Sequence, residues 1–165
     1  MTTQSLMQQF ENADGSFDAI RKDFVIDDNV DYPEPEYLIR LGEVPTLPKG
    51  NIVALSAKWK NGKTFFCDIL AAIFLGSTAF HNCGNLVKQG KVLFFDTEQA
   101  VSDTARIRKT IKKLTPQERH KDFDVFCLRK AGIDSEDEGE TISRYEFIIR
   151  SIERDHPDLV IVDGI

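Results

Sequence analysis

Four unbroken apolar runs punctuate the chain: Ile52-Val53-Ala54-Leu55, Val92-Leu93-Phe94-Phe95, Val125-Phe126-Cys127-Leu128 and Leu159-Val160-Ile161-Val162. A strand with one wet face alternates apolar and polar residues, so continuous runs of this length predict strands covered on both faces. Between the runs the period changes. Phe66, Ile69, Leu70 and Ile73 recur at helical spacing and Gly76 follows as a stop. A second helix is predicted over 102–114, with Ser102 as its cap and Pro116 beyond its end. Ile142, Phe147, Ile148 and Ile152 predict a third, halted before Pro157. Strands alternating with helices predict an α/β fold, a mainly parallel sheet flanked by helices on both faces.

The chain before residue 50 follows no such rhythm. Phe10, Phe17, Ile20 and Phe24 fit one helical face, interrupted by Gly15 and acidic residues. Asp31-Tyr32-Pro33-Glu34-Pro35-Glu36 is excluded from helix interior, because each proline pushes the residue before it into extended geometry. Leu41 to Gly50 carries two further prolines and ends in the turn Pro48-Lys49-Gly50. The expected organisation is a polar, partly flexible preamble over 1–36, either a flap or a loose tail, and a nucleotide-binding domain over 37–165.

Composition narrows the partners. At 165 residues and 41% hydrophobic the chain fits one domain with a real core. A net charge of −6 and a pI near 5.1 provide no global basic field, so contact with nucleic acid must be a local patch. Arg106, Arg108, Lys109, Lys112 and Lys113 on the second predicted helix are such a patch, or simply a solvated face. Cys67, Cys83 and Cys127 are odd in number and lack metal-ligand spacing; buried free thiols suit a reducing cytoplasm. No apolar run is long enough to cross a bilayer, so no membrane partner is expected. His81, His120 and His156 have no motif around them and are expected at the surface.

The candidate chemistry sits where runs end. Ala57-Lys58-Trp59-Lys60-Asn61-Gly62-Lys63-Thr64 follows the phosphate-loop pattern G-x-x-x-x-G-K-[ST] except at its first glycine. Placed between a strand and a helix, such a loop turns backbone N–H groups inward and adds the helix N-terminus, both suited to an anion. The amides of Lys60, Asn61, Gly62, Lys63, Thr64 and Phe65 are the expected cradle for the phosphates of ATP. The Lys63 ammonium is expected on the β- and γ-phosphates, and the Thr64 hydroxyl on Mg²⁺. Asp163, after four apolar residues, is suited to hold the same magnesium through water, although Asp-Gly is also a common turn dipeptide. Glu98, just past the second run, is placed to orient and deprotonate an attacking water, or else is merely solvated. Ala57 is strained by roughly 1 kcal/mol if its position needs positive φ, and tolerated otherwise. Trp59 fits stacking on a base, on a partner or over the loop.

These residues together resemble a family. Pro48-Lys49-Gly50, the strand, Gly62-Lys63-Thr64, Val92-Leu93-Phe94-Phe95-Asp96-Thr97-Glu98 and Leu159-Val160-Ile161-Val162-Asp163 are similar to RecA-like P-loop ATPases. Among these, the branch of plasmid replicative helicases and mobile-element ATPases is the most similar. The resemblance covers residues 37–165. It implies ATP with Mg²⁺, hydrolysis assisted by a carboxylate at Glu98, and a hexameric ring acting on DNA. Ring members complete each site with an arginine or lysine from the neighbouring subunit. Family members also continue beyond the position of Ile165, so the resemblance implies a further core strand, and a chain apparently truncated after Asp163. Two other readings stay open: a nucleotide-dependent interaction or regulatory module without turnover, and a small-molecule kinase.

Overall fold

The computed structural model describes residue 21 and residues 24–58, 61–87, 90–129 and 142–164. It divides into two units, Met1–Glu34 and Pro35–Ile165. Within the described part of the first, Asp27 nucleates a tight turn. Its carboxylate accepts from the Asn29 backbone and side-chain N–H groups, each at 2.9 Å, and these bonds hold its pKa below the ordinary value. The predicted helix carrying Phe10, Phe17 and Ile20 lies outside the described residues, as do Trp59, Lys60 and the acidic stretch 135–140.

The second unit contains two sheets. β1 (Tyr37–Leu41) and β2 (Val44–Pro48) form an antiparallel hairpin, and β3 (Cys83–Asn85) adds antiparallel to the other side of β1. Gly42 has φ +62 at the first turn position, which lets two residues close the hairpin. This sheet was not anticipated from the sequence. Pro45 and Pro48 argue against a strand, but β2 lies at the sheet's edge, where a missing N–H is tolerated.

The parallel sheet is the expected one in three of its four strands. β4 (Val92–Asp96) lies between β5 (Phe123–Cys127) and β6 (Leu159–Asp163), both parallel to it. α1 (Lys63–Phe74), α2 (Val101–Leu114) and α3 (Arg144–Asp155) are the three helices predicted. Successive residues of the strands point to opposite faces, and the core divides accordingly. Val92, Phe94, Phe123, Leu159 and Ile161 pack with Ile73 and Phe74 of α1 and Ile107 and Ile111 of α2. On the other face Leu93, Phe95, Phe126, Val160 and Val162 meet Phe147 and Ile148 of α3. Phe95 stacks on Phe126 at 5.1 Å between centroids, and Phe147 meets Phe126 edge-on at 5.4 Å. β4 is fully buried along its length, as its unbroken apolar run requires.

The strand predicted over Ile52-Val53-Ala54-Leu55 does not form. The segment has no regular structure, and Ile52 is 100% exposed. Apolar composition fits a residue to a strand, but the backbone groups of a strand also need a neighbour. Among the described residues β6 pairs only with β4, and this segment does not add to its free edge.

Helix ends follow local chemistry. Ser143 caps α3 by accepting from the Glu146 N–H at 3.1 Å, and Pro157 lies beyond its end. Ser102 does not cap α2, which begins after Ala100; Asp96 supports that end instead, as described below. His120 is also not a free surface residue. Its ring meets the Lys112 and Thr115 carbonyls at 3.0 and 3.3 Å at the end of α2 and lies edge-on to Phe123. No helix among the described residues is long and apolar enough to cross a membrane.

Candidate functional site

The parallel register brings three strand ends level. Asp96 pairs with Cys127 on one side and with Asp163 on the other. The carboxyl edge of such a sheet is where side chains are free to meet a ligand, because the chain leaves the ladder there.

α1 starts at that edge. Gly62 has φ +74 and occupies the residue before the helix, a conformation that an L side chain adopts only under strain. Its Cβ direction is open, so the glycine serves the backbone turn rather than a close approach. The first intrahelical bond runs from the Phe66 N–H to the Gly62 carbonyl, leaving the amides of Lys63, Thr64 and Phe65 at the open end. The first turn contains no acidic residue to oppose an anion. The Lys63 ammonium donates to the Ala57 carbonyl at 3.1 Å, and the Asn61 N–H to the Lys58 carbonyl at 3.2 Å, so the loop folds back on itself. Ala57 is not among the described residues with positive φ, which removes the objection to alanine at that position.

The bond that assembles the site joins residues 99 positions apart. The Thr64 hydroxyl donates to Asp163 Oδ2 at 2.5 Å, tying the start of α1 to the end of β6. Two oxygen donors side by side suit a hard divalent cation. Among the described residues no three acidic, histidine or cysteine side chains converge on one point. An ion here would have to complete its shell with phosphate oxygens and water. That fits Mg²⁺, which keeps several waters and rarely takes an all-protein cage.

Asp96 and Glu98 are two apart, yet they do different things. Asp96 is completely buried. One of its oxygens accepts from the Glu98 and Gln99 N–H groups at 3.1 and 2.9 Å, and the other from the Thr104 hydroxyl at 2.6 Å. These three donors turn the chain out of β4 and seat the start of α2. Glu98 emerges from that turn into solvent. Thr97 fastens the turn to β6, its N–H reaching the Asp163 carbonyl at 3.0 Å and its hydroxyl reaching the Asp163 and Gly164 carbonyls. Neither Asp96 nor Gln99 stood out as a site residue in the sequence. The only sign was an aspartate ending an apolar run, the same signal that singled out Asp163.

The exposed Glu98 side chain passes close to Gly164 at the end of β6. A Cβ there would run into Glu98 Cγ and lie 2.7 Å from Cδ, and φ is +87. Gly164→Ala is therefore expected to cost about 1 kcal/mol of backbone strain and to push Glu98 aside. If Glu98 acts on a bound nucleotide, turnover should fall about tenfold or more, with nucleotide affinity retained. Parallel assays of hydrolysis and of nucleotide binding check this.

α1 also carries an acid that was not anticipated. Asp68 lies one helical turn beyond Thr64, is 5% exposed, and its Oδ1 is buried without a hydrogen-bond partner. Burial first, then the Asp163 and Asp96 carboxylates, pushes its pKa up to about 7. The neighbouring Cys67 thiol is pushed up to about 11 by burial and by the Asp163 and Asp68 carboxylates, so it stays protonated and unreactive.

The basic residues of α2 point elsewhere in part. Arg108 pairs with Asp124 at 3.7 Å and lies over the Phe123 ring at 5.1 Å, and Arg106 pairs with Asp103 at 3.7 Å. Lys112 and Lys113 are exposed, as is Lys109.

Residues 18–165 match the family model described as AAA domain. Comparison with curated proteins and with solved structures returns no match. The matched span includes the phosphate loop, the β4 turn and the β6 end, and the parallel sheet with its helices fits a P-loop nucleotide-binding fold. The chain belongs to the AAA domain family of nucleotide-binding ATPases.

Proposed function

We propose that this chain binds ATP with Mg²⁺ at the junction of α1, β4 and β6 and hydrolyses it as a RecA-like ATPase linked to DNA replication or mobilisation. The observation that carries the reading is the Thr64–Asp163 hydrogen bond, which joins the phosphate loop to a strand end far away in sequence. In this reading the amides from Asn61 to Phe65 cradle the phosphates, with Lys60 contributing from the preceding loop. Lys63 gives up the Ala57 carbonyl for the β- and γ-phosphates. Thr64 would hold Mg²⁺ directly and Asp163 through water, and the ion would supply positive charge against the phosphates. Glu98 orients a water for attack on the γ-phosphate and accepts its proton.

The DNA link and the hexameric ring follow from the resemblance to helicase-related ATPases, with the exposed lysines of α2 as the surface available to a polyanion. A charge-assisted contact to phosphate is worth about 1.5–3 kcal/mol, so Lys63→Ala should weaken ATP binding by roughly 10- to 100-fold. Titration with a fluorescent ATP analogue measures this, and unchanged affinity would place the nucleotide elsewhere or nowhere. Hydrolysis measured with and without single-stranded DNA separates the readings. DNA-stimulated turnover supports the motor; phosphate transfer to a small acceptor identifies a kinase; tight binding without turnover identifies a regulatory module.

A further inference from the structure

The Thr64 hydroxyl has a second partner. Gln99 Nε2 lies 3.3 Å from Thr64 Oγ1, so a side chain from the β4 turn reaches across to the phosphate loop. The main chain of Gln99 is fixed on both sides. Its N–H donates to Asp96 Oδ1 at 2.9 Å, and its carbonyl accepts from the Cys127 thiol at 3.6 Å. Asp96 itself is wholly buried, so the anchor cannot drift. The half-buried amide is thereby held facing the loop by contacts from two strands.

A hydroxyl has one proton and two lone pairs. The amide NH₂ can only donate, so it must occupy one of the Thr64 lone pairs. The Thr64 proton is then committed to Asp163, in agreement with the 2.5 Å contact. One lone pair remains, and it is the one a cation would use. Without Gln99 the hydroxyl is oriented by the Asp163 contact alone, and its rotation is less restricted. The chain Gln99 to Thr64 to Asp163 has a single direction.

We propose that Gln99 is a positioning residue for the metal: it orients the Thr64 hydroxyl so that a lone pair faces Mg²⁺, and it ties that state to the turn bearing the adjacent Glu98. Partners of this kind typically change metal affinity by roughly 10- to 100-fold when removed. The inference rests on the nucleotide-binding reading above, but it concerns a residue that neither the phosphate-loop pattern nor the apolar runs indicate.

The test is the gain in nucleotide affinity that Mg²⁺ confers, measured by titrating a fluorescent ADP analogue in EDTA and in excess Mg²⁺. Gln99→Met keeps the length of the side chain without a donor, and Gln99→Ala removes the side chain while leaving the turn's backbone bonds. Both variants are expected to lose about tenfold of the Mg²⁺-dependent gain, with affinity in EDTA unchanged. A residue that merely stabilised the fold would lower both affinities together, and that result overturns the proposal. Retention of the full gain in either variant overturns it as well. If the unaltered protein binds nucleotide with no Mg²⁺-dependent gain, the proposal falls with the metal site. If Lys63→Ala abolishes binding while the Gln99 variants keep the gain, the nucleotide-binding reading stands and this one alone fails.

Discussion

Glu98→Gln is expected to lower ATP turnover by about 10²- to 10⁴-fold while nucleotide affinity changes by no more than about twofold. The substitution preserves size and hydrogen-bonding reach and removes only the capacity to accept a proton. Glu98 has little structural work to lose. Its side chain is exposed, and the turn beneath it is held by Asp96 and Thr97 through bonds that do not involve the carboxylate. The variant should therefore melt at the temperature of the unaltered protein. Single-turnover hydrolysis beside equilibrium binding separates the possibilities. If turnover survives, Glu98 is a solvated acid and the base must be sought elsewhere. If binding collapses as well, the turn has been disturbed and the residue's role is structural. The asymmetry with Asp96 is the physical core of the expectation. Two carboxylates two residues apart differ because one is surrounded by three donors and the other by solvent and the bare backbone of Gly164.

That asymmetry also marks what a sequence can and cannot disclose. Asp163 was legible because an acid that ends a buried run must lie at the sheet's edge, whatever surrounds it. Gly62, Lys63 and Thr64 were legible because a loop that opens a helix needs few residues to specify it. Asp96 and Gln99 were not, since their roles depend on donors and acceptors supplied by Thr104, Cys127 and Thr64, which only the fold brings together. The helices α1, α2 and α3 followed from their apolar spacing, with ends within a few residues of expectation. The failure at Ile52-Val53-Ala54-Leu55 has a different origin. Periodicity reports what a side chain would tolerate and says nothing of whether the backbone docks on a neighbouring strand. The reverse error hid β2, whose two prolines look prohibitive until the strand is seen to be an edge.

Asp68→Asn is expected to stabilise the protein at pH 8 by about 2–4 kcal/mol, with the gain disappearing below about pH 4. The carboxyl sits on the buried side of α1, and Oδ1 has no donor to compensate its loss of water. Asp163 and Asp96 add like charge, and the folded-state pKa rises to about 7 from 3.8. The sign follows from proton binding. Below pH 3.8 the side chain is protonated in both states and costs nothing through charge. Between that pH and about 7 the unfolded chain has released its proton while the folded chain retains it, so raising the pH favours unfolding. Above about 7 both states are ionised, the slope vanishes and the full penalty remains. A tenfold difference in proton affinity between the two states is worth about 1.4 kcal/mol, and the rise at Asp68 sets the upper end of the range. Asparagine keeps the shape and removes the ionisation, so every other titrating group cancels when the two proteins are compared. Urea unfolding at about pH 4, 5.5, 7 and 8 should give two stability curves that diverge as pH rises and run parallel above about pH 7. A constant separation would mean that packing, not charge, distinguishes the variants. The folded domain thus keeps a costly acid one turn from Thr64, beside its candidate metal site.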